Sequence, residues 1–166
     1  MSRVEMLPNL CTAFNLMFGV AAIAAVINGN FQLSAALIIV SAVLDRADGI
    51  LARRYNVASA FGREFDSLAD LVSFGVAPSA LLYSNMIDWW SPAGLVCFAI
   101  FTLCGAFRLA RFNISSDTTS FQGVPITVAG AVLAIAVILI PNPAVMMAVA
   151  LLISIAMVSS VRIPKV

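Results

Sequence analysis

Six apolar stretches, separated by short polar connections, constrain this chain more than any other feature of its sequence. They lie near residues 9–27, 31–53, 62–84, 93–111, 124–140 and 144–161. Each has roughly the 17–25 residues that an α-helix needs to cross the hydrocarbon core of a bilayer. With 62% hydrophobic residues, the chain is also more apolar than soluble domains are. The sequence therefore predicts an all-α integral membrane protein, with residues 1–166 forming one domain of six transmembrane helices.

The positive charges of the chain are distributed unevenly between the two predicted membrane faces. All nine lysine and arginine residues fall on the face that also holds both termini: Arg3, Arg46, Arg53, Arg54, Arg63, Arg108, Arg111, Arg162 and Lys165. Connections on the cytoplasmic side of a membrane protein carry an excess of lysine and arginine. We therefore expect cytoplasmic termini and a multi-pass protein of the cell membrane. The net charge of +1 gives no reason to expect a nucleic-acid partner.

Four aspartates lie on the same predicted face, in two pairs. Asp45 and Asp48 are three residues apart near the end of the second stretch, and Asp66 and Asp70 are four apart at the start of the third. Both spacings place the two carboxylates of a pair on one helix face. Ionisable residues near membrane depth are costly to bury and usually functional. The aspartates therefore predict an active site that faces the cytoplasm.

The chemistry open to this site follows from the residue types that are present. The chain contains no histidine, so acid–base and metal chemistry falls to carboxylates. Four neighbouring carboxylates repel one another, and two divalent cations offset their charge. Oxygen ligands favour Mg²⁺ or Mn²⁺, with Ca²⁺ as another occupant, and a two-metal clamp suits phosphoryl-type transfer. The three cysteines fit no zinc spacing, and we interpret them as small apolar residues.

Small residues and an arginine lie between the two aspartate pairs. Gly49 and Ala52 follow Asp45 on one helix face and leave space for a ligand, while Arg53 is placed to bind a phosphate. Gly62 permits close approach at the start of the third stretch. Taken singly, glycine and alanine are packing residues in membrane helices and arginines set topology. Their combination with four aspartates at fixed spacing favours a ligand site.

The stretch from residue 45 to 70 reads D-x2-D-G-x2-A-R-x8-G-x3-D-x3-D and resembles the signature of the CDP-alcohol phosphatidyltransferase family. All eight fixed positions match: Asp45, Asp48, Gly49, Ala52, Arg53, Gly62, Asp66 and Asp70. Leu7, Pro8 and Asn9, with Thr12, resemble the family's entry to its first helix. Residues 70–78, 105–113 and 121–125 resemble the small phosphatidylserine synthase branch. The resemblance covers most of residues 7–125, and the last two stretches are generic.

The resemblance implies a reaction that joins a CDP-linked lipid to a small alcohol and releases CMP. It implies that Asp45, Asp48 and Asp66 ligate the metals, and that Asp70 is both a ligand and the catalytic base. The CDP-lipid site would be lined by Asn9, Thr12, Gly49, Ala52, Arg53 and Gly62. The branch implies CDP-diacylglycerol and L-serine as substrates, membrane lipid as the surroundings and a homodimer as the assembly.

The acceptor site is predicted from three further residues. Arg108 and Arg111 lie one helical turn apart on the aspartate side, where a guanidinium suits the serine carboxylate or the lipid phosphate. As an alternative, both anchor the fourth helix at the membrane surface. Ser73 follows Asp70 by three residues and is a candidate for acceptor choice, whereas Gly75 and Pro78 alone would only bend the helix.

Two other interpretations stay open at this point. Within the family, the acceptor is glycerol phosphate or an inositol phosphate, whose dianionic phosphate would require a larger basic cluster. Outside it, the chain is an ion or proton transporter with a carboxylate relay, although this does not explain the glycines, alanine and arginine between the aspartates. The sequence does not distinguish an ester-linked from an ether-linked lipid.

Overall fold

The computed structural model describes residues 6–55, 59–114, 120–159 and 162–164, of which 6–8, 48, 51–55, 87–91, 120–122 and 162–164 are described by their backbone alone. The helices are α1 (Met6–Ile27), α2 (Phe31–Tyr55), α3 (Ala60–Asp70), α4 (Ala77–Asn85), α5 (Ile87–Ile114), α6 (Ile126–Leu139) and α7 (Pro143–Val158). A π-helical segment, Leu71–Val76, joins α3 to α4 in one continuous rod. In chain order, α1, α2, this rod, α5, α6 and α7 correspond to the six predicted apolar stretches.

Polar residues and glycine fix where several of these helices end and begin. Gly29, with φ of +72°, makes the turn after α1, because a left-handed backbone favours glycine. Ser59 caps α3 by accepting a hydrogen bond of 3.0 Å from the amide of Gly62. Asn142 caps α7 through the amides of Ala144 and Val145. The short connections thus place consecutive helices side by side.

Several element boundaries differ from the sequence prediction. Helix α2 continues to Tyr55, and α5 already begins at Ile87, so that Pro92 lies inside a helix and not in the connection between the third and fourth apolar stretches. The expected loop before α6 and the expected tail after α7 form an antiparallel pair of strands, β1 (Ser120–Gln122) and β2 (Arg162–Pro164). Strands of three residues are too short to show a periodic pattern, so the sequence did not predict them.

The outer surface of the bundle is that of a membrane protein. Within the described ranges, three helical segments are long and apolar enough to cross a bilayer, namely Asn9–Ile27, Ala60–Asn85 and Pro92–Ile114, while α6 and α7 are shorter apolar helices. Large apolar side chains point outward on every long helix: Met17, Val43, Leu68, Leu103, Leu139 and Leu152. Such a surface is stable against lipid tails but not against water.

The rod formed by α3, the π-helical segment and α4 is the centre of the bundle. It is the most buried of the three candidate spans, with 56% of its apolar window inside the protein against 33% in each of the others. Phe74 and Leu81 on the rod pack with Phe101 of α5 and Leu133 of α6 in the core. A Cβ atom at Gly130 would stand 2.6 Å from the carbonyl oxygen of Phe74, so only glycine lets α6 approach the rod this closely.

Candidate active site

Three carboxylates from two helices meet at one place in the bundle. Asp45 comes from α2, and Asp66 and Asp70 come from successive turns of α3. One oxygen from each carboxylate lies within 4.8 Å of the others. Asp70 is only 7% exposed, and the other two are half-buried. The structure thus brings together three of the four predicted metal ligands, while the side chain of Asp48 lies outside the described residues.

The arrangement is electrostatically unfavourable unless a positive charge joins it. At separations near 5 Å and an effective dielectric constant of about 20, each pair of carboxylates repels by roughly 3 kcal/mol. With all three carboxylates ionised, the three pairs together approach the total stability of a typical domain, which is about 5–15 kcal/mol, so a bound cation or a proton must offset the repulsion. A hard divalent cation with oxygen ligands offsets this repulsion.

A buried oxygen of Asp66 is a second observation that favours a cation at this cluster. Asp66 Oδ1 is buried and has no hydrogen-bond partner in the part of the chain that the structure describes. A buried carboxylate oxygen without a donor is costly, so it normally faces a donor or a cation. The donor set and this oxygen therefore fit a divalent cation.

Two neutral side chains donate hydrogen bonds to the cluster. Asn15 of α1 donates from Nδ2 to Asp70 Oδ1 over 3.2 Å, and Thr127 of α6 donates from Oγ1 to Asp45 Oδ2 over 3.0 Å. Neither contact was predicted from the sequence. Asn15 carried a signal, since it is an amide inside an apolar stretch. Thr127 carried none, because a threonine at the start of an apolar helix is common.

The π-helical segment begins directly after Asp70 and has an identifiable cause. Pro78 has no amide hydrogen, and in a regular α-helix its ring would collide with the carbonyl of Phe74. The wider turn relieves this, and the amide of Ala77 donates to the carbonyl of Val72, five residues earlier. Such segments are frequent at functional sites. The predicted bend at Gly75 and Pro78 is thus a local change of helix type.

The predicted acceptor residue Ser73 lies within this segment and is fully buried. Its hydroxyl donates to the backbone carbonyl of Asn15 over 3.0 Å, and the hydroxyl of Ser41 on α2 donates to the same carbonyl over 3.2 Å. The described contact of Ser73 is therefore with α1, where it helps to hold three helices together. Its contact with an acceptor stays a prediction.

The predicted nucleotide-binding residues are partly brought together. The Oδ1 atom of Asn9 lies 3.1 Å from the position that a Cβ on Gly62 would occupy, and Asn9 Nδ2 is buried with no partner among the described residues. Apart from its chain neighbours and the adjacent backbone of α2, no described atom lies within 4 Å of the corresponding position at Gly49. Thr12, one turn after Asn9, is buried. The side chains of Ala52 and Arg53 lie outside the described residues.

The two predicted acceptor arginines occupy different environments. Arg108 is 7% exposed, and its Nε has no hydrogen-bond partner in the described ranges. Arg111 donates to the carbonyls of Val158 and Ser159 over 3.1 and 3.3 Å, and so caps the end of α7. Of the two, Arg108 is the better candidate for an anionic ligand.

This chain is similar to one family of known proteins. The family model described as CDP-alcohol phosphatidyltransferase matches residues 5–160. Three similar proteins are each named CDP-diacylglycerol–serine O-phosphatidyltransferase. The one from Helicobacter pylori is 38% identical over 95% of this chain and 71% of its own length. The one from Bacillus subtilis is 40% identical over 78% of this chain and 73% of its own length. The one from Methanocaldococcus jannaschii is 38% identical over 98% of this chain and 76% of its own length.

Proposed function

This chain belongs to the CDP-alcohol phosphatidyltransferase family, and from that premise we propose that it transfers the phosphatidyl group of CDP-diacylglycerol to the hydroxyl of L-serine. The products are phosphatidylserine and CMP. The observation that carries this proposal is the cluster of Asp45, Asp66 and Asp70, read together with the three relatives named for the same reaction.

In this proposal the four aspartates hold two divalent cations, Mg²⁺ or Mn²⁺. Asp45, Asp66 and Asp70 are already close enough to share them, and Asp48 is the fourth ligand by its place in the family signature. The bound cations supply Lewis-acid chemistry, which stabilises negative charge on the pyrophosphate oxygens. The buried oxygen of Asp66, to which no described residue donates a hydrogen bond, supports its assignment as a ligand.

Asp70 is the proposed catalytic base. It takes the proton from the serine hydroxyl while the hydroxyl oxygen forms a bond to the lipid-side phosphorus. The bond between that phosphorus and the bridging oxygen breaks, and CMP leaves with the electron pair. Asp70 is the most buried of the three carboxylates, which keeps bulk water away from the proton that it accepts. The absence of histidine from the chain leaves a carboxylate as the natural base.

The nucleotide half of the substrate is assigned to the residues around the start of α1 and α3. Asn9 and Gly62 are neighbours there, and Asn9 Nδ2, which has no partner among the residues that the structure describes, is a donor suited to the nucleotide or its phosphates. Thr12 lies next to Asn9, and Gly49 leaves space on α2. Arg53, with Ala52 beside it, is the proposed cation for a phosphate.

We place the whole chain in the cytoplasmic membrane as one domain that crosses it six times. The distribution of lysine and arginine supports cytoplasmic termini, which puts the carboxylate cluster in the cytoplasmic half of the bundle. The outward-facing apolar side chains on α2, α6 and α7 support crossings beyond the three candidate spans. The proposed assembly is a homodimer surrounded by lipid.

An acceptor panel tests the proposed reaction. Purified protein in detergent is supplied with CDP-diacylglycerol, Mn²⁺ and one alcohol at a time, and CMP release is measured. We expect release with L-serine at least about tenfold faster than with glycerol 3-phosphate or inositol 1-phosphate, because a dianionic phosphate would require a larger cluster of basic side chains than the serine carboxylate does. Faster release with either phosphate would contradict the choice of serine. Absence of release with every alcohol, together with cation flux into liposomes, would favour a transporter.

A second experiment tests Arg108 as the residue that binds the serine carboxylate. Lysine keeps the charge but loses the paired donors of a guanidinium, so Arg108→Lys should raise the KM for serine by roughly 10-fold or more and leave that for CDP-diacylglycerol unchanged. Arg63→Lys, on the exposed surface of α3, is the matched control and should leave both constants unchanged. An unchanged KM for serine in Arg108→Lys would remove the residue from the acceptor site.

A further inference from the structure

Two hydrogen bonds reach the carboxylate cluster from opposite ends of the chain. Asn15 belongs to the first helix and Thr127 to the sixth, and each bonds to one oxygen of one carboxylate. Neither residue belongs to the family signature in residues 45–70. Asn15 is fully buried, so its amide has no solvent to bond with in place of Asp70.

Both donors are held firmly by the helices that carry them. The backbone carbonyl of Asn15 accepts hydrogen bonds from the hydroxyl groups of Ser41 on α2 and Ser73 on the rod. These bonds fix this turn of α1 against α2 and the rod. Thr127 lies one turn before Gly130, where α6 touches the backbone of Phe74. Each donor is therefore anchored by a contact that is independent of the carboxylate to which it donates.

The chemistry of the two donors suits an orienting role. An amide and a hydroxyl fix a carboxylate oxygen without neutralising its charge, whereas lysine or arginine would compete with a cation for the same negative charge. Hydrogen bonds to ligating carboxylates fix their orientation, and loss of such partners typically weakens metal binding 10–100-fold.

We propose that Asn15 and Thr127 are positioning residues that orient Asp70 and Asp45 for cation binding, so that α1 and α6 set the affinity of a site whose ligands lie on α2 and α3. This inference rests on the proposed cation site but not on the identity of the acceptor. It is therefore tested by cation binding without substrate, using the full chain in detergent.

The Thr127 contact allows a closely matched pair of variants. Thr127→Val keeps the shape and removes the hydroxyl, whereas Thr127→Ser keeps the hydroxyl and removes a methyl group. In a Mn²⁺ titration followed by electron paramagnetic resonance, we expect Thr127→Val to bind Mn²⁺ about 10–100-fold more weakly than wild type. Thr127→Ser should bind within about threefold of wild type. Equal Kd values for Thr127→Val and wild type would overturn the inference for Thr127.

Asn15 is tested by two variants because its site is fully buried. Asn15→Leu keeps the volume, and Asn15→Ala removes the amide without adding bulk, so at least one should fold. Either should lose about 10–100-fold in Mn²⁺ affinity, and Mn²⁺ should raise its melting temperature less than it raises that of wild type. Ser41→Ala is the control, because it leaves in place both the Asn15 amide and the bond from Ser73 that holds the same carbonyl.

The outcomes separate this inference from the proposed function. Weak binding in Thr127→Val and the Asn15 variants, with normal binding in Ser41→Ala and Thr127→Ser, supports the positioning role. Normal binding in the variants of both positions overturns it and leaves the carboxylate site intact. Failure of the wild type itself to bind Mn²⁺ overturns the cation site and the inference together.

Discussion

Replacing Asp70 by asparagine lowers the rate of CMP release by about 10³-fold or more. Proton transfer by a positioned base contributes about 10²–10⁴-fold to a reaction rate, and an amide accepts no proton in this role. Asparagine also carries no charge for a cation. The change is conservative in shape, and its side-chain oxygen still accepts the hydrogen bond from Asn15. The release of CMP from CDP-diacylglycerol with saturating serine and Mn²⁺ measures the effect.

The stability of the same variant distinguishes lost chemistry from lost folding. Because Asp70→Asn removes one of three mutually repelling carboxylates, its melting temperature in the presence of a chelator should equal or exceed that of wild type. Glu64→Gln is the control within α3, since this exposed side chain bonds to Asn113, and it should retain most of the activity. An active Asp70→Asn enzyme would refute the assignment of the base.

Removal of divalent cations should lower turnover by about as much as the Asp70→Asn substitution does. Cations that polarise phosphoryl oxygens supply several kcal/mol, and each 1.36 kcal/mol is tenfold in rate. Dialysis against a chelator should therefore reduce turnover by about 10³-fold. Mg²⁺ or Mn²⁺ should restore turnover, because both ions accept oxygen ligands in a compact octahedral geometry. Ca²⁺ does not require that geometry.

A control for chelation is the melting temperature measured in parallel. The chelated protein should still unfold cooperatively and should recover its activity when the cation returns, which shows that the bundle survives without it. Full turnover in buffer from which divalent cations have been removed would show that the carboxylates act without them.

The main features of the site were open to prediction because they are local. The spacing of Asp66 and Asp70 follows from the helical period, and the short connection between the second and third stretches brings Asp45 to the same place. The large share of apolar residues likewise indicates the membrane class from composition alone. These inferences need only the geometry of one or two neighbouring helices.

The remaining features depend on contacts between distant parts of the chain. Thr127 lies 82 positions after Asp45 and reaches it from α6, which packs closely against the rod at Gly130. Arg111 and Arg108 look equivalent in sequence, but Arg111 bonds to backbone carbonyls at the end of α7, and a carbonyl leaves no mark on the sequence. The strands β1 and β2 pair segments about 40 residues apart and are too short to be recognised.

The location of bound Mn²⁺ decides whether aspartates of α2 and α3 share divalent cations. Crystals of the protein grown with Mn²⁺ are measured for anomalous scattering. We expect anomalous peaks at about 2 Å from carboxylate oxygens of Asp45, Asp66 and Asp70, and their loss in Asp66→Asn. Full-occupancy Mn²⁺ elsewhere, with these three carboxylates turned away from one another, would contradict this expectation.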